Sequence, residues 1–232
     1  MSSLPVVLVP GLMCSARLYG PQVPTLWQFG PVMVADHRAD ESMGAIAEQI
    51  LGIAPPRFAL IGLSMGGYIA FVIHQKAPQR VARLALLDTS AHPETPRETE
   101  RRMAQIALAN EGRLGEIVDA LFPVFVHRDR QGDQELKRTV SIMAQETGAD
   151  AFIRQQKAIM SRPDAKPFLS SITCPTLVLV GDSDALTPLV RSQEIAAGIQ
   201  RANLVVVPEC GHLSTLERPE AVNAALAEWM GR

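Results

Sequence analysis

Nearly unbroken apolar runs alternate along this chain with stretches whose apolar positions recur every three or four residues. The runs are Pro5 to Val9, Pro31 to Ala35, Phe58 to Ile61, Val81 to Leu87, Pro175 to Val180 and Leu204 to Val207. Rich in valine, leucine and isoleucine, they read as strands buried on both faces of a parallel sheet. Between them, Ser42 to Gly52 sets Met43, Ile46, Ala47, Ile50 and Leu51 on one helical face, with Ser42 as N-cap and Gly52 just past the end. Met65 to Ala77 reads as a helix that Pro78 stops, and Thr187-Pro188 opens another in the N-cap and N1 manner, reaching about Gly198. A last helix, from about Arg218 to Met230, carries Val222, Leu226 and Trp229 on one face. Strand and helix in alternation predict βαβ crossovers and an α/β fold.

The alternation stops after Asp88 and resumes at Pro175. From His92 to Ser171 the periodicity is helical throughout: Thr95 to Asn110 with Pro96 at its start, Arg113 to Phe122, Gln134 to Glu146, and Asp150 to Ser161. Because the chain then returns at once to a strand, the segment reads as an excursion from the core. The expected organisation is an α/β core, residues 1–91 and 172–232, with a helical cap, residues 92–171, inserted after the fourth strand.

Composition narrows this picture without changing it. The chain has 232 residues, 47% apolar and 20% charged, as in an ordinary globular protein with one good-sized core. Its net charge of −2 gives no reason to expect nucleic acid or an anionic membrane as partner. Cys14, Cys174 and Cys210 show no metal-type or C-x-x-C spacing and read as free thiols in a reducing compartment. No apolar stretch approaches a membrane span and no signal-type segment is evident, so the expected location is the cytoplasm.

The candidate chemistry centres on Gly62-Leu63-Ser64-Met65-Gly66-Gly67. Ser64 falls where a buried strand turns into a helix, the setting of a nucleophile elbow, and the glycines make so sharp a turn sterically possible. The helix that follows aims its unpaired amides and positive dipole end at the place where an oxyanion would form. A serine needs a base, and a third group to hold that base in the right tautomer. His212, in a Gly-His turn after the last strand, can hang over the same sheet edge. His74 lies inside the helix after the elbow and His127 in the cap, whereas His37 and His92 follow strands and could approach the edge. For the third group, Asp88, Asp182 and Asp184 all end or follow strands. Phe122, Phe125, Met143, Phe152 and Met160 could line an apolar pocket under the cap, with plain helix packing as the alternative for each.

Three motifs spread over nearly the whole chain carry a more specific resemblance: Gly62 to Gly67, Gly181 to Pro188 as G-x-x-D-x-x-x-P, and Gly211-His212 followed by Glu217 and Pro219. The chain resembles capped members of the α/β-hydrolase superfamily, close to small carboxylesterases and enol-lactonases, and Ser64, Asp184, His212 is that class's order of nucleophile, acid and base. The resemblance implies a shortened, mostly parallel sheet of about six strands, since two strands that usually precede the first are missing. It assigns the acid to Asp184 and the oxyanion hole to the backbone N–H groups of Leu12 and Met65. The usual His-Gly pair before the oxyanion loop is Pro10-Gly11 here, which keeps the turn glycine. Serine rather than aspartate at the elbow argues against dehalogenase and epoxide hydrolase chemistry. The function implied is a carboxylesterase-like serine hydrolase acting on a small-molecule ester or lactone through an acyl-enzyme, with no metal or organic cofactor. Carbon–carbon bond hydrolysis or acyl transfer by the same triad, and a ligand-binding receptor on the same scaffold, are the alternatives.

Overall fold

The computed structural model describes residues 3–231. Six strands, β1 (Val6–Val9), β2 (Val32–Val34), β3 (Phe58–Leu63), β4 (Val81–Leu87), β5 (Thr176–Gly181) and β6 (Ala202–Val207), form one sheet in the order β2-β1-β3-β4-β5-β6. Every pairing is parallel. Inner strands β1, β3 and β5 are buried along their whole length, while the edge strands β2 and β6 are only partly so. The unbroken apolar runs of the inner strands follow from this, because both of their faces meet packed side chains.

Period-two alternation divides the core between the faces. Val7, Val9, Phe58, Leu60, Leu84 and Leu86 join the cluster that holds Ile46 and Ile50 of α2 (Met43–Ile53) and Ile69 and Ile73 of α3 (Met65–Lys76). On the opposite face, Val6, Leu8, Ala59, Ile61, Ala85 and Leu87 pack with Leu26 of α1 (Val23–Leu26). α4 (Pro96–Asn110), α5 (Leu114–Phe125), α6 (Gln134–Thr147) and α7 (Ala149–Met160) lie between β4 and β5, as the periodicity predicts. After β5 come α8 (Leu189–Gly198), then α9 (Ser214–Glu217) and α10 (Pro219–Gly231), and Val222, Leu226 and Trp229 of α10 all face the core.

Three boundaries differ from expectation for local reasons. Gly52 lies inside α2, which runs on to Ile53 and ends at Ala54, an extended residue because Pro55 follows it. α5 continues past Phe122 to Phe125 with Pro123 inside it. Thr187 is not the N-cap of α8, a position held by Pro188; its side chain is engaged elsewhere. The short α1 and α9 have no apolar stripe long enough to announce them.

The chain first adds β2 on one side of β1, then crosses to the other side and adds β3 to β6 outward in sequence order. That reversal leaves the loops after β1 and β3 side by side at the carboxyl edge, the switch point where open α/β sheets bind ligands. Among the described residues no helix is long and apolar enough to cross a membrane.

Candidate active site

Ser64 sits between β3 and α3 with φ 54 and ψ −115, a left-handed backbone that a residue with a side chain adopts only under tertiary constraint. The constraint is close approach. A Cβ on Gly66 would fall 1.9 Å from the Val9 carbonyl oxygen, and one on Gly62 would fall 2.2 Å from that of Gly66. The first turn of α3 can therefore press against the end of β1 only because these positions lack side chains.

Above the elbow, the loop after β6 delivers His212, whose Nε2 lies 2.8 Å from Ser64 Oγ. The loop after β5 delivers Asp184, whose Oδ2 lies 2.8 Å from His212 Nδ1. A carboxylate only accepts, so Nδ1 carries the ring proton and Nε2 is left to accept from the Ser64 hydroxyl. Asp184 is fixed in turn. Its Oδ1 accepts the N–H groups of Leu186 at 2.8 Å and Thr187 at 3.0 Å, and the Thr187 hydroxyl donates to Oδ2 at 2.6 Å. Burial alone would raise the Asp184 pKa, but His212 and these donors hold it below the usual carboxylate range. Burial likewise pushes His212 down, and the Asp184 carboxylate outweighs it, leaving the imidazole above its ordinary value. A hydroxyl, imidazole and carboxylate so aligned can move a proton off the serine and stabilise the imidazolium that results.

The other two aspartates are occupied differently. Asp182 accepts from the N–H groups of Glu209 at 3.0 Å and Cys210 at 3.3 Å, which makes it a turn residue. Asp88, fully buried with φ 44, accepts the Gly181 N–H at 3.0 Å and shares a short hydrogen bond with the Ser214 hydroxyl. Burial, reinforced by the charge of Asp184, pushes it up to about 8.

Leu12 N–H and Met65 N–H, the pair assigned to the oxyanion hole, have no hydrogen-bond partner among the described residues. The loop carrying Leu12 is braced by the next amide, Met13 N–H, which donates to Gln155 Oε1 of α7 at 3.1 Å. His37, at 2.9 Å from the Gly11 carbonyl through Nε2, supports the same loop from behind. His92 pairs with Glu194 and Arg191, His74 is buried in α3, and His127 bonds within its own turn. Cys14 and Cys210 are buried free thiols, and burial raises both, Cys14 to about 12, so neither offers a thiolate.

A cavity of about 80 Å³ opens beside Ser64 and His212. Of the five cap residues expected to line it, Phe125 and Met143 do. Phe122 and Phe152 instead lie in the apolar core beneath, and Ile159 takes the place on the wall that Met160 was expected to hold. The sequence reading missed Tyr68 and the polar residues of α4 on the same wall, and also Thr187, Gln155 and Glu217 as supports. Thr187 and Glu217 lay inside recognised motifs; Gln155 carried no local signal. No group of three or more His, Cys, Asp or Glu is arranged to hold a metal ion among the described residues.

The sequence matches the alpha/beta hydrolase family over residues 6–225. The chain belongs to that family. An esterase from Thermogutta terrifontis superimposes with a TM-score of 0.89 at 29% identity, covering 98% of this chain and 89% of its own. The enol-lactonase of Burkholderia xenovorans shares the fold with a TM-score of 0.91 at 22% identity, covering 100% of this chain and 93% of its own. A 2-hydroxy-6-oxononadienedioate/2-hydroxy-6-oxononatrienedioate hydrolase from Klebsiella pneumoniae is 27% identical over 179 residues, 75% of this chain and 62% of that protein. Hydrolysis is the reaction class that membership of the alpha/beta hydrolase family supports.

Proposed function

We propose that this member of the alpha/beta hydrolase family is a serine hydrolase that cleaves a small carboxylic ester or lactone through an acyl-enzyme. The observation that carries the reading is the continuous chain from Asp184 through His212 to Ser64, 2.8 Å at each step, with the serine on a strained turn. His212 Nε2 takes the Ser64 proton as Oγ bonds to the substrate carbonyl carbon. The carbonyl oxygen becomes an oxyanion between Leu12 N–H and Met65 N–H, donors with no other partner among the described residues. The tetrahedral intermediate collapses, the carbon–oxygen bond to the alcohol breaks, and His212 returns its proton to that oxygen. Water then gives a proton to His212 and attacks the acyl carbon, and the second collapse restores the Ser64 hydroxyl. Asp184 keeps its charge throughout and holds the imidazole in the tautomer that each step needs. Residues 92–171 act as a cap that shapes the acyl pocket.

The test joins a covalent probe to a substrate panel. A fluorophosphonate should add once, at Ser64 by peptide mapping, and short p-nitrophenyl esters and a simple lactone should be turned over faster than a ring-fission dienone acid. Labelling at Cys14 or Cys210, or full activity in Ser64→Ala, would end the reading. Faster cleavage of the dienone acid would move the reaction to a carbon–carbon bond.

A further inference from the structure

The cavity beside Ser64 has two chemically different ends. Leu121, Val140 and Met143 make one wall apolar, while Tyr68 of α3 and Glu98, Arg101, Arg102 and Gln105 of α4 make another polar. The α4 residues recur at i, i+3, i+4 and i+7, so a single helical face turns toward the cavity. A helix that merely roofed an apolar site would place leucine or methionine there. Tyr68 lies four residues beyond Ser64, about one turn along α3, which sets this polar end next to the reacting centre.

Pairing decides what the polar end recognises. Arg102 Nε donates to Glu94 Oε1 at 2.7 Å and its Nη1 to Gln156 Oε1 at 2.8 Å, while Nη2 has no partner among the described residues. Arg162 also pairs with Glu94, and its guanidinium lies over the Tyr68 ring, 4.7 Å from the centroid. Glu98 accepts from the N–H of Thr95 at 2.8 Å and from its hydroxyl at 2.7 Å, with Arg162 Nη2 at 3.8 Å. Gln156 Nε2 donates to Gln105 Oε1 at 2.7 Å, so the Gln105 amide nitrogen is left over. Arg101 makes no ion pair or hydrogen bond among the described residues, and the Tyr68 hydroxyl makes no hydrogen bond. Three guanidinium groups thus lie near two carboxylates; among the described residues Glu98 Oε1 is left as one unpartnered acceptor on this wall, against the unpartnered donors Arg102 Nη2, the Arg101 guanidinium, the Gln105 amide and the Tyr68 hydroxyl.

We infer that this end of the cavity binds a carboxylate, and that the substrate is an ester or lactone carrying a second, free carboxylate. The inference rests on the serine-hydrolase reading above and names its substrate class. A planar guanidinium offers parallel N–H donors that match a carboxylate. Burial holds the Arg102 and Arg162 guanidinium groups below their ordinary pKa, a desolvation that an anionic partner offsets.

Monomethyl glutarate and dimethyl glutarate test this, with p-nitrophenyl acetate as reporter of Ser64 chemistry. The monoanionic ester should show kcat/KM at least about tenfold above the neutral diester at low salt, the size of one charge-assisted hydrogen bond, and the gap should narrow in molar salt. Arg101→Gln and Arg102→Gln should each cut that ratio by about fivefold or more, whereas Arg101→Lys, which keeps the charge but not the planar fork, should cut it less. Arg102 also pairs with Glu94, so the exposed Arg101 and a Tyr68→Phe change carry the test if Arg102→Gln fails to fold. Glutarate itself should inhibit p-nitrophenyl acetate hydrolysis competitively, and less so in Arg101→Gln. Equal turnover of the two methyl esters, no inhibition by glutarate, or a ratio unmoved by Arg101→Gln and Tyr68→Phe overturns the inference, while acetate ester turnover at Ser64 leaves the hydrolase reading standing. Absence of both acetate ester turnover and fluorophosphonate labelling overturns the two together.

Discussion

Two buried aspartates lie within electrostatic reach of His212, and their hydrogen bonds set them apart. Asp184 bonds directly to the ring and is ringed by donors that favour its charged form; Asp88 bonds away from the ring, to Gly181 N–H and Ser214, in a setting that favours the protonated form near neutral pH. Asp184→Asn should fold and lose at least about a hundredfold in kcat, because an amide favours the wrong imidazole tautomer; the same change in a serine protease costs about ten-thousandfold. Asp88→Asn replaces a neutral acid by a neutral amide of the same shape and should keep most of wild-type kcat. Steady-state rates on one short ester decide between them, and the reverse pattern would move the acid to the earlier strand. The pH profile adds a signed expectation. A candidate base such as His212 can act only when neutral, and Asp184 raises its pKa, so the acid limb of kcat/KM should have its midpoint above the ordinary value of 6.5. Asp184→Asn removes that stabilising charge and should move the limb to lower pH. The position of Asp184 was legible because G-x-x-D-x-x-x-P fixes a loop. The state of Asp88 was not, since it depends on the depth of burial at the end of β4 and on a serine two residues past the histidine.

Between elements, one carboxylate does the joining. Glu217, buried in α9, accepts the N–H groups of Gly211 at 3.0 Å and Leu213 at 3.2 Å through Oε1, and that of His127 at 2.7 Å through Oε2. The Phe125 carbonyl meanwhile accepts from the His212 N–H at 2.8 Å and the Leu213 N–H at 3.2 Å. The end of α5 is thereby stitched to the backbone of the candidate base itself. Glu217→Gln can satisfy only one side of this tie, because its NH₂ must face either the Oε1 donors or the His127 N–H. The expected result is a loss of about 1–3 kcal/mol of stability, the penalty of an unsatisfied buried group. With it should come a fall in kcat of about tenfold at little change in KM, together with a shift of the acid limb, since Glu217 also helps to raise the His212 pKa. Thermal melts and a pH–rate profile on the same preparation check this; a stability loss alone, with kcat and the limb unmoved, would make Glu217 a packing residue only. The elements themselves were readable from periodicity because each buries a stripe or a face. Their ends were less so where a neighbour overrides the local signal, as when the Thr187 hydroxyl turns to Asp184 and leaves the cap of α8 to Pro188.

At the scale of the whole molecule, the sheet order brings together residues from opposite ends of the chain. Ser64 follows β3, Asp184 follows β5 and His212 follows β6, so parallel strands deliver all three to one edge, and the α4–α7 segment closes over it. The motifs made this much legible without any distance, because each is a short backbone device with its own local sequence. The pocket was not legible in the same way. Whether an apolar cap residue faces the cavity or the core depends on how four helices pack, and the sequence pattern of Phe152 is indistinguishable from that of Met143. The structure separates them: both are fully buried, but only Met143 lines the cavity. Phe152→Ala should therefore destabilise by about 3–5 kcal/mol and Met143→Ala by about 2–5 kcal/mol, each through a cavity left in packed surroundings. Only in Met143→Ala does the new space join the cavity beside Ser64. A longer acyl chain can fill it, recovering about 0.8 kcal/mol per methylene, or roughly fourfold in kcat/KM for each added carbon until the space is full. A series of p-nitrophenyl acetate, butyrate and hexanoate, run on both variants beside thermal melts, should show a lowered Tm in each and a shifted chain-length preference in Met143→Ala alone. The same shift in Phe152→Ala would mean that the wall is assigned to the wrong face of the cap.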